Sequence, residues 1–324
     1  MRRVDEFNFP PPARQIYIHA FLDKARSTVL HAAVKSAAAK VNPATLRQEM
    51  TRHVPAPGLQ SIQGTGVRDE LIFAAPCILR MSPATLGYYR LLLGVSQKRF
   101  YTKATRLSIF KSMEDRGIIH DDAESRIASL CSTMNEAMSG LVTAILRGDL
   151  QADIDQLPLL TLGAQADGSW RTRIGQKATK GVFDALKNVI KGQGKHYTDN
   201  GDAITVVNSA GRNVTLALSP DPDVVIKEEV NTQIVVKTAI EIKGGTDNSN
   251  VHNRAGEAEK SHRKAHQAGA QKFWTVIFLT GVDRNVLCGE SPTTREWFDL
   301  EEVLAEAGAD WQRLVDLTIS AMGI

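Results

Sequence analysis

At 324 residues, with 43% hydrophobic residues and a formal net charge of only +3, the chain has ample material for a core and no bulk charge that declares a partner. Its longest apolar runs, near Leu71–Leu79 and Phe273–Thr280, fall far short of the ~18 residues of a membrane span, and no apolar run follows Arg2 and Arg3 as a secretory signal requires. Cys77, Cys131 and Cys288 are odd in number and widely spaced, with neither zinc spacing nor a disulfide framework, so a cytoplasmic protein is expected.

The length suggests two domains or one large one. From Ala13 to Lys40 the apolar positions Ile16, Phe21, Ala25, Val29 and Val34 carry a helical period. Asn42-Pro43 restarts a helix, with Asn42 as its cap and Pro43 at its first position. Pro55 to Gly66 reads as a loop, and Arg68 to Arg80 as helical or extended. Ser82-Pro83 opens a further helical stretch. Between Tyr88 and Arg106 lie five Lys/Arg, four aromatics and no acid. Basic residues interleaved with aromatics can grip a nucleic-acid backbone. By itself, however, this pattern more often marks a helix with buried rings and solvated charges. Glu114 to Arg147 predicts two helices split near Ile118–Asp122, and Gly148 to Ser169 reads as a polar connection. The expected division is a helical region, 1–160, for DNA recognition or dimerisation, and a catalytic core, 161–324.

In the second part, Arg171 to Lys191 carries six Lys/Arg against one acid, Asp184, and a helical stripe of Ile174, Ala178, Val182, Phe183, Leu186 and Ile190. One face is expected on a sheet; the other is basic. Ala203–Val207 and Val214–Leu218 are strands around the turn at Asn208–Gly211. A strand from Val224 follows two Pro-Asp pairs, and Gln233 to Lys243, dense in Val, Ile and Thr, ends in Gly244-Gly245. After a polar loop, Asn253 to Ala268 predicts a helix with a thin alanine stripe. Phe273 to Thr280 predicts a buried strand. One or two closing helices, with Trp297, Phe298, Trp311 and Leu314 as core, complete a mixed α/β layered fold.

Side chains two apart on a strand share a face. Glu241 and Lys243 therefore point one way, and Ile240 and Ile242 the other. A hairpin at Asn231-Thr232 would bring Asp223 beside Glu241. Two adjacent carboxylates repel unless a cation lies between them. Their hard oxygens suit Mg²⁺, which takes one or two protein carboxylates and completes its shell with water and substrate phosphate. The lysine adds a positive charge against a phosphate and can hold an attacking water. Asp223 and Glu241 are thus the candidate metal ligands, with Lys243 as the third member of the catalytic trio. Glu-x-Lys alone is usually a solvated strand face, and on spacing alone the two readings stand even. His262 and His266 have a zinc-compatible spacing but no partner motif, so structural or phosphate-contact roles are expected for them and for His252.

Pro222-Asp223 with Glu241-Ile242-Lys243 resembles the PD-(D/E)xK nuclease superfamily. The stretches Met81–Tyr101, Ser219–Val224 and Ala239–Gly245 running into Asn253–Ser261 narrow the resemblance to the XcyI/XmaI group of type II restriction endonucleases. The resemblance implies a restriction-endonuclease-like fold, a mixed β-sheet flanked by helices. It implies a homodimer that cuts palindromic double-stranded DNA at CCCGGG with Mg²⁺ and water, leaving 5′-phosphate ends, and a cognate DNA methyltransferase as functional partner. Because two Pro-Asp pairs are present, Asp221 is an alternative to Asp223, which is preferred for adjoining Val224-Val225-Ile226. Some superfamily members add an acid from the preceding helix, where only Asp184 stands, and it is left unassigned. Arg pairs with guanine and Glu or Asp with cytosine in the major groove. Arg254, Glu257 and Lys260 are therefore candidate DNA contacts, as are Gln97, Lys98 and Arg99.

Overall fold

The computed structural model describes residues 12–145, 150–245, 250–279 and 281–324. The chain divides into two compact units, Met1–Trp170 and Arg171–Ile324.

The first unit is helical. Asn42 caps the Pro43–His53 helix by accepting from the Ala44 N–H at 2.8 Å. Proline suits the first helical position because that N–H has no intrahelical partner. The predicted helix over 13–40 is two, Ala13–Thr28 and His31–Ala38. The expected loop at Pro55–Gly66 contains a helix instead, Ala56–Ile62, which buries Gly58 and Ile62. Proline at its start is tolerated, and Gly58 is needed because a Cβ there would lie 2.7 Å from Ser139 Oγ. Arg68–Arg80 resolves into a short turn of helix at Asp69–Leu71 and a helix at Pro76–Met81. Gly117, with φ +67°, ends the Lys111–Arg116 helix in the left-handed conformation. Ile127–Ile145 follows as a long helix.

The aromatics of the basic stretch are core. Tyr88 and Tyr89 are fully buried, and their hydroxyls donate to the Leu71 and Glu70 carbonyls at 2.6 and 2.9 Å. Arg90, 1% exposed, is forked onto Glu114 at 2.9 and 2.6 Å.

A helix runs from Leu150 to Gly192 with Pro158 inside it. The stretch expected as a connection is therefore helical from Leu150 onward; the preceding 146–149 lie outside the described residues. Leu150, Ile154, Leu162 and Ala166 are each buried. Their spacing is helical, but polar residues between them hide the stripe from a composition-based reading.

The second unit is built on a seven-stranded mixed sheet in sequence order: β1 (Tyr197–Asp199), β2 (Ala203–Val207), β3 (Asn213–Leu218), β4 (Val224–Val230), β5 (Gln233–Lys243), β6 (Lys272–Ile277) and β7 (Glu296–Asp299). β1 to β5 pair antiparallel. β5, β6 and β7 are parallel, and the Val251–Gln267 helix makes the crossover from β5 to β6. Ala178, Val182, Phe183, Leu186 and Ile190 pack with Ile240 and Ile242 in one cluster, together with Leu314 and Met322 of the Ala309–Met322 helix. Ala239 lies in another, with Ala265 and Phe273. The alternation along β5 thus serves helices on both faces.

Trp297 and Phe298, expected on a closing helix, lie on β7 instead. Adjacent residues on a strand face opposite sides. Both are buried, Phe298 in the cluster of Ile240 and Ile242 and Trp297 in a separate one with Val251, Ala255 and Leu287. Among the described residues no helix is long and apolar enough to cross a membrane.

Candidate active site

β4 and β5 are joined by a tight turn in which Asn231 and Thr232 take φ +48° and +67°, the backbone that two-residue hairpins require. The register pairs Val224 with Ile240 and Val225 with Ala239. One step further along it, Asp223 stands opposite Glu241. Asp223 directly precedes β4, and its Oδ2 accepts from the Ile242 N–H at 2.8 Å. Thr179, from the helix of the basic face, also hydrogen-bonds its carboxylate.

Glu241 is 6% exposed. Its Oε1 lies 2.9 Å from Lys243 Nζ, and its Oε2 is buried with no hydrogen-bond partner among the described residues. Burial pushes the Glu241 carboxyl above its ordinary range; Lys243 opposes this, and the charge of Asp223 adds to it. Burial likewise raises Asp223, against the Ile242 N–H and Lys243. Lys243 is pulled down by burial but carried up further by Glu241, Glu257 and Asp223, so its ammonium stays charged.

The Val251–Gln267 helix forms a third wall. Glu257, Ser261 and Lys264, at i, i+4 and i+7, present one stripe. Glu257 Oε2 is 3.7 Å from Lys243 Nζ, the Ser261 hydroxyl sits by the carboxylates of Glu241 and Asp221 and favours their ionised forms, and Lys264 Nζ is 2.7 Å from Asp221. Asp221 is exposed, and the bond from Lys264 holds it below the usual carboxylate range. Of the two Pro-Asp acids, then, Asp221 is neutralised by Lys264, and Asp223 faces Glu241.

A buried carboxylate, Glu241, raised by the charge of the half-buried Asp223 beside it and with one oxygen that lacks any donor, fits a hard divalent cation. Among the described residues no cluster of three or more His, Cys, Asp and Glu forms a metal cage. Asp223 and Glu241 by their chemistry suit an ion that takes two protein carboxylates and fills its remaining positions with water and phosphate, as Mg²⁺ does.

The other predicted residues are distributed differently. Arg254 donates to the Gly245 carbonyl at 2.8 Å, tying the helix to the end of β5. Lys260 is exposed, and so are Lys98 and Arg99, which lie in the first unit. Gln97 donates to Asp115 at 2.8 Å, and Asp184 is ion-paired with Lys180. The polar loop that follows Gly245 includes 246–249, which lie outside the described residues. Thr179 and Ser261 had no signal in the sequence: a lone hydroxyl on a helix gains significance only once its neighbours across space are known.

His262 is fully buried. Burial lowers its pKa from the ordinary 6.5 to about 4. Between those values the unfolded chain binds a proton that the folded chain does not, so this contribution is complete above pH 6.5 and is lost as the pH falls toward 4. The expected loss is on the order of 3 kcal/mol. Urea unfolding of wild type and His262→Gln at pH 7.5 and 4.5 checks this: the variant should show the shallower decline, and parallel declines would refute it.

Gly244 makes the close approach of β5 to the basic helix possible. A Cβ there would lie 2.7 Å from the Ala178 Cβ and 2.9 Å from the Gly175 Cα. Gly244→Ala should cost ~1–3 kcal/mol by overpacking, read as a lower urea midpoint. An unchanged midpoint would show that the approach is not tight.

The model of the XcyI restriction endonuclease family matches residues 19–324. The chain is 36% identical over 331 residues to the type II restriction enzyme XcyI of Xanthomonas campestris pv. cyanopsidis, covering 99% of this chain and 98% of that protein. It is 35% identical over 322 residues to the type II restriction enzyme Cfr9I of Citrobacter freundii, covering 96% of each. With similarity spanning both units, the chain belongs to the XcyI restriction endonuclease family, and it is a nuclease that cleaves DNA site-specifically.

Proposed function

We propose that this nuclease is a Mg²⁺-dependent homodimer of PD-(D/E)xK type that cuts double-stranded DNA at the palindrome CCCGGG and leaves 5′-phosphate ends. It acts in the cytoplasm, with a cognate DNA methyltransferase as its functional partner. The observation that carries the catalytic reading is Glu241: buried beside Asp223, with one oxygen on Lys243 and the other without a donor.

In this reading Asp223 and Glu241 are the metal ligands, and Asp223 is favoured over Asp221 because Lys264 already neutralises Asp221. Bound there, Mg²⁺ supplies a Lewis acid to the scissile phosphodiester. Lys243, charged and anchored at 2.9 Å from Glu241, donates to the attacking water or to a phosphate oxygen and stabilises the negative charge that develops on the phosphate oxygens. The Ile242 N–H holds Asp223 in one orientation, so the carboxylate need not reorganise when substrate arrives. Water adds to phosphorus and gives up a proton, the bond to the 3′ oxygen breaks, that oxygen takes up a proton and leaves as the 3′-hydroxyl, and the phosphate stays on the 5′ side. Lys260, Lys98 and Arg99 are proposed as DNA contacts from their exposure, with Arg254 and Glu257 as candidate base readers beside the catalytic strand.

Digestion of a sequenced plasmid with and without Mg²⁺, followed by sequencing of the fragment ends, tests this. The expected result is one fragment set whose ends all fall within CCCGGG and carry 5′-phosphate. Cutting at junctions or free ends instead would mean a repair-type nuclease on the same fold, and an uncut plasmid with every divalent cation would overturn the metal reading.

A further inference from the structure

The face of the Val251–Gln267 helix turned away from Glu257 and Ser261 carries a second, wholly buried set of polar groups that the cleavage chemistry does not use. Glu259 is 7% exposed, Thr294 6%, and His262, Thr275 and Ser291 are fully buried. Glu259 Oε2 accepts from the Ser291 hydroxyl at 3.0 Å, the Thr293 N–H at 3.0 Å and the Thr293 hydroxyl at 2.6 Å. From Ser291 the contacts run on to Thr294 Oγ1 at 2.8 Å, from there to Thr275 Oγ1 at 3.0 Å, and from Thr275 to His262 Nε2 at 2.9 Å. The chain of contacts leaves the helix at Glu259 and returns to it three residues later.

Its direction follows from counting protons. A carboxylate only accepts, and Glu259 is held at about 2: burial would raise it, but the bonds from Thr293, Arg263 and Ser291 prevail. Ser291 therefore spends its one proton on Glu259. In its contact with Thr294 it must accept, so Thr294 donates there. Thr294 then has no proton left for Thr275, so Thr275 donates to Thr294 and must itself accept from His262. Only a protonated Nε2 can supply that bond. Any other arrangement leaves two lone pairs facing each other at about 3 Å in a dry interior. The ring is neutral near pH 7, since burial lowers its pKa to about 4, and its Nδ1 has no partner among the described residues.

The place of this chain in the fold joins it to the site. Thr275 is the β6 residue paired in register with Glu241, and parallel partners share a face of the sheet. We propose that Glu259 and His262 are positioning residues of the cleavage reaction: acting through Ser291, Thr294 and Thr275, Glu259 holds His262 as the Nε2–H tautomer, which locks the Val251–Gln267 helix onto β6 next to Glu241 and sets Ser261 and Glu257 against the Glu241–Lys243 pair. The positioning role rests on the nuclease reading; the tautomer does not.

The test uses the full chain labelled with ¹⁵N-histidine at pH 7.5, with the His262 signals identified by their loss in His262→Gln. Wild type should show a protonated Nε2 and a bare Nδ1. Ser291→Ala leaves Glu259 its Thr293 and Arg263 bonds but frees the proton order. It should give a mixture of tautomers and a kcat for plasmid cleavage lower by ~10–100-fold, the usual cost of losing an outer-shell partner, with KM for DNA unchanged. Thr294→Val, nearly isosteric, breaks the next link and must produce the same two changes should Ser291→Ala fold poorly. An Nδ1–H tautomer in wild type overturns the proton order. Mixed tautomers with an unchanged kcat, or a lowered kcat with the wild-type tautomer, overturn the positioning role. A wild-type protein that cuts nothing overturns the nuclease reading and the positioning role together, while the spectrum still decides the tautomer.

Discussion

Lys243→Ala is expected to bind duplex DNA as wild type does and to cut it more slowly by ~10²–10³-fold, the usual cost of removing one preorganised donor to developing charge. The ammonium lies 2.9 Å from Glu241 and 3.7 Å from Glu257, and burial that would lower its pKa is outweighed by those acids. It is therefore a fixed positive charge at the proposed position of the phosphate. Its loss also leaves Glu241 buried without its cation, which favours the neutral acid and weakens a proposed metal ligand. Single-turnover cleavage with excess enzyme separates this effect from binding, measured by gel shift without Mg²⁺. Lys243→Arg restores the charge but not the geometry and should recover little activity. Wild-type cleavage by the alanine variant would discard the site assignment.

The largest loss of stability is expected in the other unit. Glu114 accepts from Arg90 at 2.9 and 2.6 Å and from the Tyr101 hydroxyl at 2.7 Å, and the side chains of Arg90 and Glu114 are 1% and 4% exposed. Glu114→Ala strands the guanidinium in the interior and should cost ~3–5 kcal/mol, because breaking a buried pair leaves one charge uncompensated. The double variant Arg90→Met with Glu114→Leu removes both charges and should recover much of that loss. Urea unfolding of the three proteins decides it. A single variant within about 1 kcal/mol of wild type would show that water reaches the pair.

Arg90 also shows why part of the chain misleads when read alone. Within Tyr88–Arg106 it counted toward a basic patch, yet it is among the most deeply buried side chains of the protein. Its partner lies 24 positions away, beyond any local pattern. Pro55–Gly66 misleads for a related reason: its Gly and Pro residues suit a turn, but Gly58 is required by the approach of Ser139, and that packing favours a helix.

The strand pairing was legible because its signals are local. Asn231-Thr232 closes a two-residue hairpin, and the period of two along Gln233–Lys243 assigns each side chain a face; both hold in the β4–β5 register and in the burial of Ala239, Ile240 and Ile242 on opposite sides. The stripe from Ala178 to Ile190 holds for the same reason. β7 escaped notice because four residues are too few to display a period, and the adjacent Trp297 and Phe298 fit a helix equally well on paper.

From its residues alone this chain specified its family resemblance, the hairpin that sets Asp223 across from Glu241, and the amphipathic helices. Each of these depends on spacing along the backbone, which chain geometry converts directly into direction. The ion pair of Asp221 with Lys264, the hydroxyls of Thr179 and Ser261 at the carboxylates, the Arg90–Glu114 pair and the buried path from Glu259 to His262 depended on long-range packing. In each, residues distant along the chain meet where water is absent, and the energy of a charge or a hydroxyl is then governed by the neighbour it acquires rather than by its own place in the sequence.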